Sequence, residues 1–370
     1  MSEVLSKIPN GMRYYFGAEA RRRRAIEETA MSIFAGWSYE EITTPTVDYH
    51  SLFEHGMGNV EARRAFRFTD VDGQLLALRP DVTSAAARAA ATLLAEQARP
   101  LRLCYAASVF RQQPQSHAEW RRESTQIGCE LIGENTPVAD LELLAVAGEV
   151  FERLNLGGSY LITLNDVRFF NGVAADLGLD EDGRERMRRL IDARNAAELE
   201  LFLASFAAKV EAAEFARLTQ LSGKREILNA ARQLRSNSES NAALDRLEAL
   251  WNVIESLKWQ DRFEIDLGDV ARLDYYTGLT FKIYVRDAGT KVGSGGRYDG
   301  LTASFGRTEP AVGFVLDVDA LTELPLLRQI DGSDQTDAAR RPAGANVAEL
   351  FRDAVAKRQQ GERVILTLQR

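Results

Sequence analysis

The chain has 370 residues, 45% of them hydrophobic and 27% charged, with a formal net charge of −8. That length points to two or three domains rather than one core, and the acidic balance argues against a general nucleic-acid binder, which needs a basic face for phosphates. Two cysteines, and three histidines without ligand spacing, exclude a disulfide framework and a four-ligand zinc site. No apolar run has the length of a membrane span and the first residues lack a signal-peptide core, so a cytoplasmic protein with no cofactor or metal is expected.

In chain order, residues 18–35 are expected to form a helix with Ala20, Ile26, Ala30, Ile33 and Phe34 on or near one face. Its run RRRR at 21–24 reads as a phosphate contact or, more commonly, as a solvated helix face. A short strand is expected near 39–43, stopped by Pro45. "AFRFTD" with "LLALRPD", and "LRLCYAASVFR" with "STQIGCELIG", read as antiparallel hairpins, the second carrying a long polar loop. Between them "TSAAARAAATLLAEQ" is helical by propensity, Thr136-Pro137 opens a further helix, and "SYLITLND" gives a strand.

From about 167 to 258 glycine is scarce and helical spacing dominates, as in a helical insertion bracketed by "YLITL" and "RFEIDLGD". "ARLDYYTGLTF" reads as a buried strand burdened with two phenols that need partners. "GTKVGSGGRYDGL" reads as a glycine-rich turn, and "AVGFVLDVDAL" as a strand running into a helix. Residues 326–345 read as a linker and 346–370 as a short helix followed by a terminal strand, "RVILTL". The whole is α+β: an antiparallel sheet flanked by helices, a core over 1–325 interrupted by the helical insertion.

Taken singly, the chemical signals are modest. "GSGGRYDG" lacks the spacing of either phosphate-binding glycine loop. Arg111, Arg121 and Arg122 near Trp120 have the chemistry to clamp a phosphate or carboxylate. In "LRPDVT", Asp81 and Thr83 stand at a strand end, where acid and hydroxyl can hold an ammonium group; a structural turn explains them about as well.

Together, in this order, the stretches resemble histidyl-tRNA synthetase, a class II aminoacyl-tRNA synthetase. "GWSYEEITTP" is similar to motif 1, the dimerisation segment; "VFRQQP" and "RRESTQIGCELIG" flank motif 2; "AVGFVLDVDAL" occupies motif 3; "LDYYTGLTF" and "GGRYDGL" match the histidine-specific signatures. On that resemblance Asp81, Thr83, Gln126, Glu130, Tyr275 and Tyr276 fall at positions that recognise the amino group and imidazole of histidine, and Arg111 at one facing the carboxylate. Glu130 and a tyrosine hydroxyl suit an imidazole, which offers a donor and an acceptor. Equally, Glu130 and Tyr276 would satisfy each other if the pocket were only inherited architecture.

The catalytic positions depart from the family. Gln113 stands where a glutamate helps hold ATP, Ala320 where an arginine meets the γ-phosphate, and Ala271 where an arginine serves amino-acid activation. Each lost cation costs on the order of 10³-fold in such a transfer. The segment after Leu321 is too short for the family's anticodon-binding domain, so tRNA is not expected as a partner. The resemblance therefore implies a non-catalytic member of the ATP phosphoribosyltransferase regulatory-subunit family. Such a protein dimerises through the motif 1 region and partners the short catalytic subunit in a hetero-octamer. It serves the first step of histidine biosynthesis, with histidine as effector. The alternatives are an active histidine-activating ligase and a stand-alone histidine sensor. The position of the histidine, in the old pocket or at a subunit interface, is open at this point.

Overall fold

The computed structural model describes residues 7–112, 121–206, 209–234, 237–270, 275–330, 347–362 and 364. Gln113, Ala271 and all but Val364 of the expected terminal strand lie outside them.

Helix α1 (Gly17–Gly36) buries Ile26, Ala30, Ile33 and Phe34 at helical spacing, and the chain turns through left-handed Ser38 into β1 (Glu40–Glu41). A small unit comes next: β2 (Val47–Tyr49), α2 (His50–Met57), α3 (Asn59–Ala62), β3 (Arg67–Thr69) and β4 (Leu75–Leu78), its strands antiparallel in the order β2-β4-β3. Helix α4 (Thr83–Ala91) is shorter than its propensity suggests. The Arg99 guanidinium donates to the carbonyls of Ala90 (3.1 Å), Leu94 (2.9 Å) and Gln97 (2.8 Å), which holds the following residues in turns.

The expected hairpin forms from β5 (Leu101–Phe110) and β6 (Glu123–Ile132). Helix α5 (Pro137–Arg153), with proline in its first turn, and β7 (Tyr160–Asp166) succeed it. The stretch that reads as helical contains α6 (Val167–Asp176), α7 (Glu181–Asp192), α8 (Ala196–Leu203), α9 (Lys209–Ala216), α10 (Glu226–Arg232) and α11 (Ser238–Ser256), with the two-residue strand β8 (Ser222–Gly223) between α9 and α10. Asp166, Asp180, Asn195 and Asn237 each cap a helix here by accepting from its first backbone N–H groups. The remaining elements are β9 (Phe263–Asp266), β10 (Leu279–Val285), β11 (Lys291–Arg297), β12 (Ala311–Asp317), α12 (Val318–Glu323) and α13 (Val347–Gln359).

Among the described residues, nine strands make one sheet in the order β1-β5-β6-β12-β11-β10-β7-β9-β8, antiparallel except for the parallel pairs β1–β5 and β7–β9. The fold is α+β, as expected. Phe34, Phe151, Phe169, Trp251, Phe281 and Phe314 belong to one continuous apolar core, so the helices from α6 to α11 pack on the same core as the sheet.

Two local expectations fail. The glycine-rich "GTKVGSGGRYDGL" is not a turn: β11 lies in the middle of the sheet, between β10 and β12. Its glycines serve close approach. A Cβ at Gly295 would stand 2.4 Å from the Gly313 carbonyl oxygen and 2.5 Å from the Phe281 ring, and one at Gly296 would stand 2.7 Å from the Tyr276 ring. Nor do the two phenols of "ARLDYYTGLTF" lie in a strand, since β10 begins at Leu279 and Tyr275 and Tyr276 precede it in irregular chain.

At the end of β11, Arg297 is 1% exposed and its Nε donates to Asp140 at 2.9 Å, tying the sheet to the start of α5. Arg297→Met should cost about 3 kcal/mol or more in urea unfolding, because Asp140 is left buried without its pair; a wild-type midpoint would refute that linkage.

Candidate functional site

The inner face of the sheet carries a cavity of about 480 Å³. Asp81 and Thr83 reach it from the start of α4, Arg111 from the end of β5, Gln126 from β6, and Tyr275 and Tyr276 from the segment before β10. Six of the seven expected site residues therefore line one space. Glu130 does not line it and sits one layer behind.

Glu130 is 1% exposed. Its Oε1 accepts from Thr83 Oγ1 at 2.8 Å and from the Tyr105 hydroxyl at 2.9 Å, and its Oε2 accepts a very short bond from the Tyr298 hydroxyl. Burial pushes the Glu130 carboxyl up to about 7 even though the three hydroxyls favour its ionised form. Glu130 and Tyr276 do not satisfy each other: the partners are Thr83, Tyr105 and Tyr298. Room for this carboxylate comes from Gly313 on β12, paired with Glu130 across the strands, where a Cβ would fall 1.6 Å from Oε2.

The polar groups at this end are mostly acceptors. Asp81 is buried, which raises its carboxyl, while bonds from the Ser84 N–H and hydroxyl (both 3.3 Å) and the nearby charge of Arg111 oppose the rise. Gln126 is 9% exposed, and its carbonyl oxygen is buried without a hydrogen-bond partner among the described residues. Tyr275 packs edge-on against both Tyr276 (4.8 Å between centroids) and Tyr298 (5.8 Å), fixing an aromatic wall.

The opposite corner is the motif 3 end of β12. Ala320 lines the cavity there, next to Asp317, whose carboxylate caps α12 by accepting from the Ala320 N–H at 2.9 Å. Burial raises the Asp317 carboxyl, and the neighbouring Asp319 adds to the effect. Arg121 reaches the same corner but is paired with Glu323, which also takes Arg13 at 3.1 Å. Half of the arginine run on α1 is a solvated face, Arg21 and Arg24 being exposed, while Arg22 and Arg23 are spent on internal ties. Arg22 donates to the Thr322 carbonyl at 3.0 Å, while Arg23 pairs with Asp319 and donates to Thr125 at 2.8 Å. Arg122 lies over the Phe66 ring, away from the clamp expected of it.

Three features of the site escape a reading of the residues alone. Tyr105 and Tyr298 are two of them; the third is the Lys282–Asp269 ion pair lining the far end of the cavity. Tyr298 stands inside a quoted signature, but only the strand register brings it and Tyr105 to Glu130. Among the described residues no group of acidic, histidine and cysteine side chains is arranged to hold a metal, and no helix is long and apolar enough to cross a membrane.

A largely antiparallel sheet with this strand order, a polar cavity on its inner face and a motif 3 helix at its rim define a class II aminoacyl-tRNA synthetase-like protein. The family model for histidyl-tRNA synthetase matches residues 11–321. An ATP phosphoribosyltransferase regulatory subunit of a Thermoanaerobacter species is 33% identical, covering 84% of this chain and 81% of its own length. Another from Moorella thermoacetica is 33% identical over 99% and 93%. A crystal structure described as an ATP phosphoribosyltransferase regulatory subunit/histidyl-tRNA synthetase from Bacillus halodurans superposes with a TM-score of 0.81 at 29% identity, covering 98% of this chain and 92% of that one. The chain belongs to the histidyl-tRNA synthetase family and, within it, to the ATP phosphoribosyltransferase regulatory subunits.

Proposed function

We propose that this chain is the non-catalytic regulatory subunit of a cytoplasmic ATP phosphoribosyltransferase. It works with a separate short catalytic subunit at the first step of histidine biosynthesis and confers feedback control by histidine. One observation carries the reading. A single cavity keeps groups suited to an amino acid, while its phosphate end has Ala320 in place of the family's arginine and Arg121 already engaged by Glu323. Asp317 places a carboxyl rather than a cation at that corner. The chain neither activates histidine nor charges tRNA.

In this reading the histidine ammonium faces Asp81, Thr83 and Gln126, its carboxylate faces Arg111, and its imidazole lies against Tyr275 and Tyr276. Feedback requires that histidine bind one state of the complex better than another, since equal affinity shifts nothing. The described residues also leave Val47, Tyr49 and Phe68 exposed on the small sheet β2-β4-β3, beside the motif 1 segment. A second copy of the chain covers this apolar face in the dimer around which the complex assembles.

Isothermal titration with L-histidine tests the pocket. Asp81→Asn turns an amide donor toward the ammonium and should weaken binding by about tenfold or more. An unchanged dissociation constant would move histidine to another site.

A further inference from the structure

The geometry points to Glu323 as a built-in anion that silences one end of the cavity toward polyphosphates, so that an effector pocket stays blind to the ATP consumed by its catalytic partner. This deepens the regulatory reading, and its biological purpose rests on that reading.

Among the described residues, three arginines line the cavity: Arg64, Arg111 and Arg121. A polyphosphate is held by converging guanidinium groups whose charge is not already spent. Arg64 is paired with Glu61, three residues before it, and both side chains are nearly buried. The charge of Arg111 bears on Asp81, where it opposes the rise that burial imposes on that carboxyl. Arg121, with its side chain 13% exposed, is paired with Glu323, which also takes Arg13 at 3.1 Å. Arg13 is held a second time, by Glu19 at 2.6 Å, and does not line the cavity. Arg121 is therefore the cavity cation that Glu323 controls.

Local structure gives no reason for a carboxylate at this place. Glu323 ends α12, where the last helix carbonyls make an acid the disfavoured charge. Its side chain is 48% exposed and has solvent within reach, yet it turns to Arg121 and Arg13. Burial raises its carboxyl, but the bond and charge of Arg121, and then those of Arg13, outweigh burial and hold it below its ordinary value. Asp317 at the same corner moves the other way, raised by burial and by Asp319. The standing negative charge here is thus that of Glu323. An arriving phosphate must displace that carboxylate from Arg121 or lie against it, like charge beside like charge. An open anion end would let ATP fill a cavity in which Arg111 has to meet the effector's carboxylate.

The test titrates inorganic tripolyphosphate into the full chain by calorimetry. Wild type should show no binding at millimolar tripolyphosphate. Glu323→Gln keeps the shape and removes the charge; it should bind tripolyphosphate at least about tenfold more tightly than wild type. Glu323→Lys should gain as much or more, and Glu323→Asp, which keeps the charge, should gain least. Adding Arg121→Gln to Glu323→Gln should abolish the gain, a result that a merely structural role of Glu323 would not produce. Tripolyphosphate should also raise the apparent dissociation constant of L-histidine in Glu323→Gln and leave that of wild type unchanged. Equal tripolyphosphate affinity in wild type and in both charge-removing variants, or a gain that survives loss of Arg121, would overturn the role of Glu323 and leave histidine binding standing. If wild type binds no histidine, the feedback reading falls, while the tripolyphosphate comparison still decides what Glu323 does.

Discussion

Gly313→Ala should destabilise the protein by about 3 kcal/mol or more and abolish histidine binding. The added Cβ would stand 1.6 Å from Glu130 Oε2 and 2.8 Å from the Cys129 carbonyl oxygen. One neighbour is sheet backbone and the other a carboxylate held by three hydroxyls, so neither gives way cheaply. Moving Glu130 breaks its bonds to Thr83, Tyr105 and Tyr298 and strands a buried carboxylate. The effect is steric rather than conformational, because Gly313 is not among the residues with positive φ. Urea unfolding and a histidine titration together check it; a wild-type midpoint with intact binding would mean that the carboxylate is not confined as described.

That glycine also marks where sequence reading reaches its limit. Helix α1 and the hairpins β3–β4 and β5–β6 carry regular apolar spacing, and each forms where expected. Strand β11 has no such pattern. Glycine is a turn signal when read locally, and only its neighbours β10 and β12 reveal that it spares space in a crowded sheet. Helix α4 stops early for a comparable reason, since the Arg99 bonds that end it are not a property of the alanine-rich run. The site shows the same division. Asp81, Thr83, Arg111, Gln126 and the tyrosine pair come from different elements and are legible through the family resemblance, not through spacing. The hydroxyl clamp on Glu130 needs strand register: Tyr105 is 25 residues away and Tyr298 is 168. For the same reason Glu130, expected to meet the imidazole, is placed behind Thr83.

Loss of adenylation should be complete, and Ala320→Arg alone should not restore it. The new guanidinium would emerge beside Asp317 and Glu323, and Arg121 already shows what happens to a cation there: Glu323 takes it. A paired cation contributes little to stabilising a polyphosphate, and the family's glutamate and second arginine are still replaced by Gln113 and Ala271. Histidine-dependent ATP–pyrophosphate exchange should stay at background in both the wild type and this variant. Measurable exchange by the single mutant would contradict the electrostatic account of that corner.

The most direct measurement is the turnover of a short catalytic ATP phosphoribosyltransferase subunit with and without this chain, with histidine titrated into the mixture. Turnover should rise by about tenfold or more on mixing, and histidine should suppress it with a midpoint that Asp81→Asn shifts upward. Turnover unchanged by the chain at any histidine concentration would contradict the regulatory assignment.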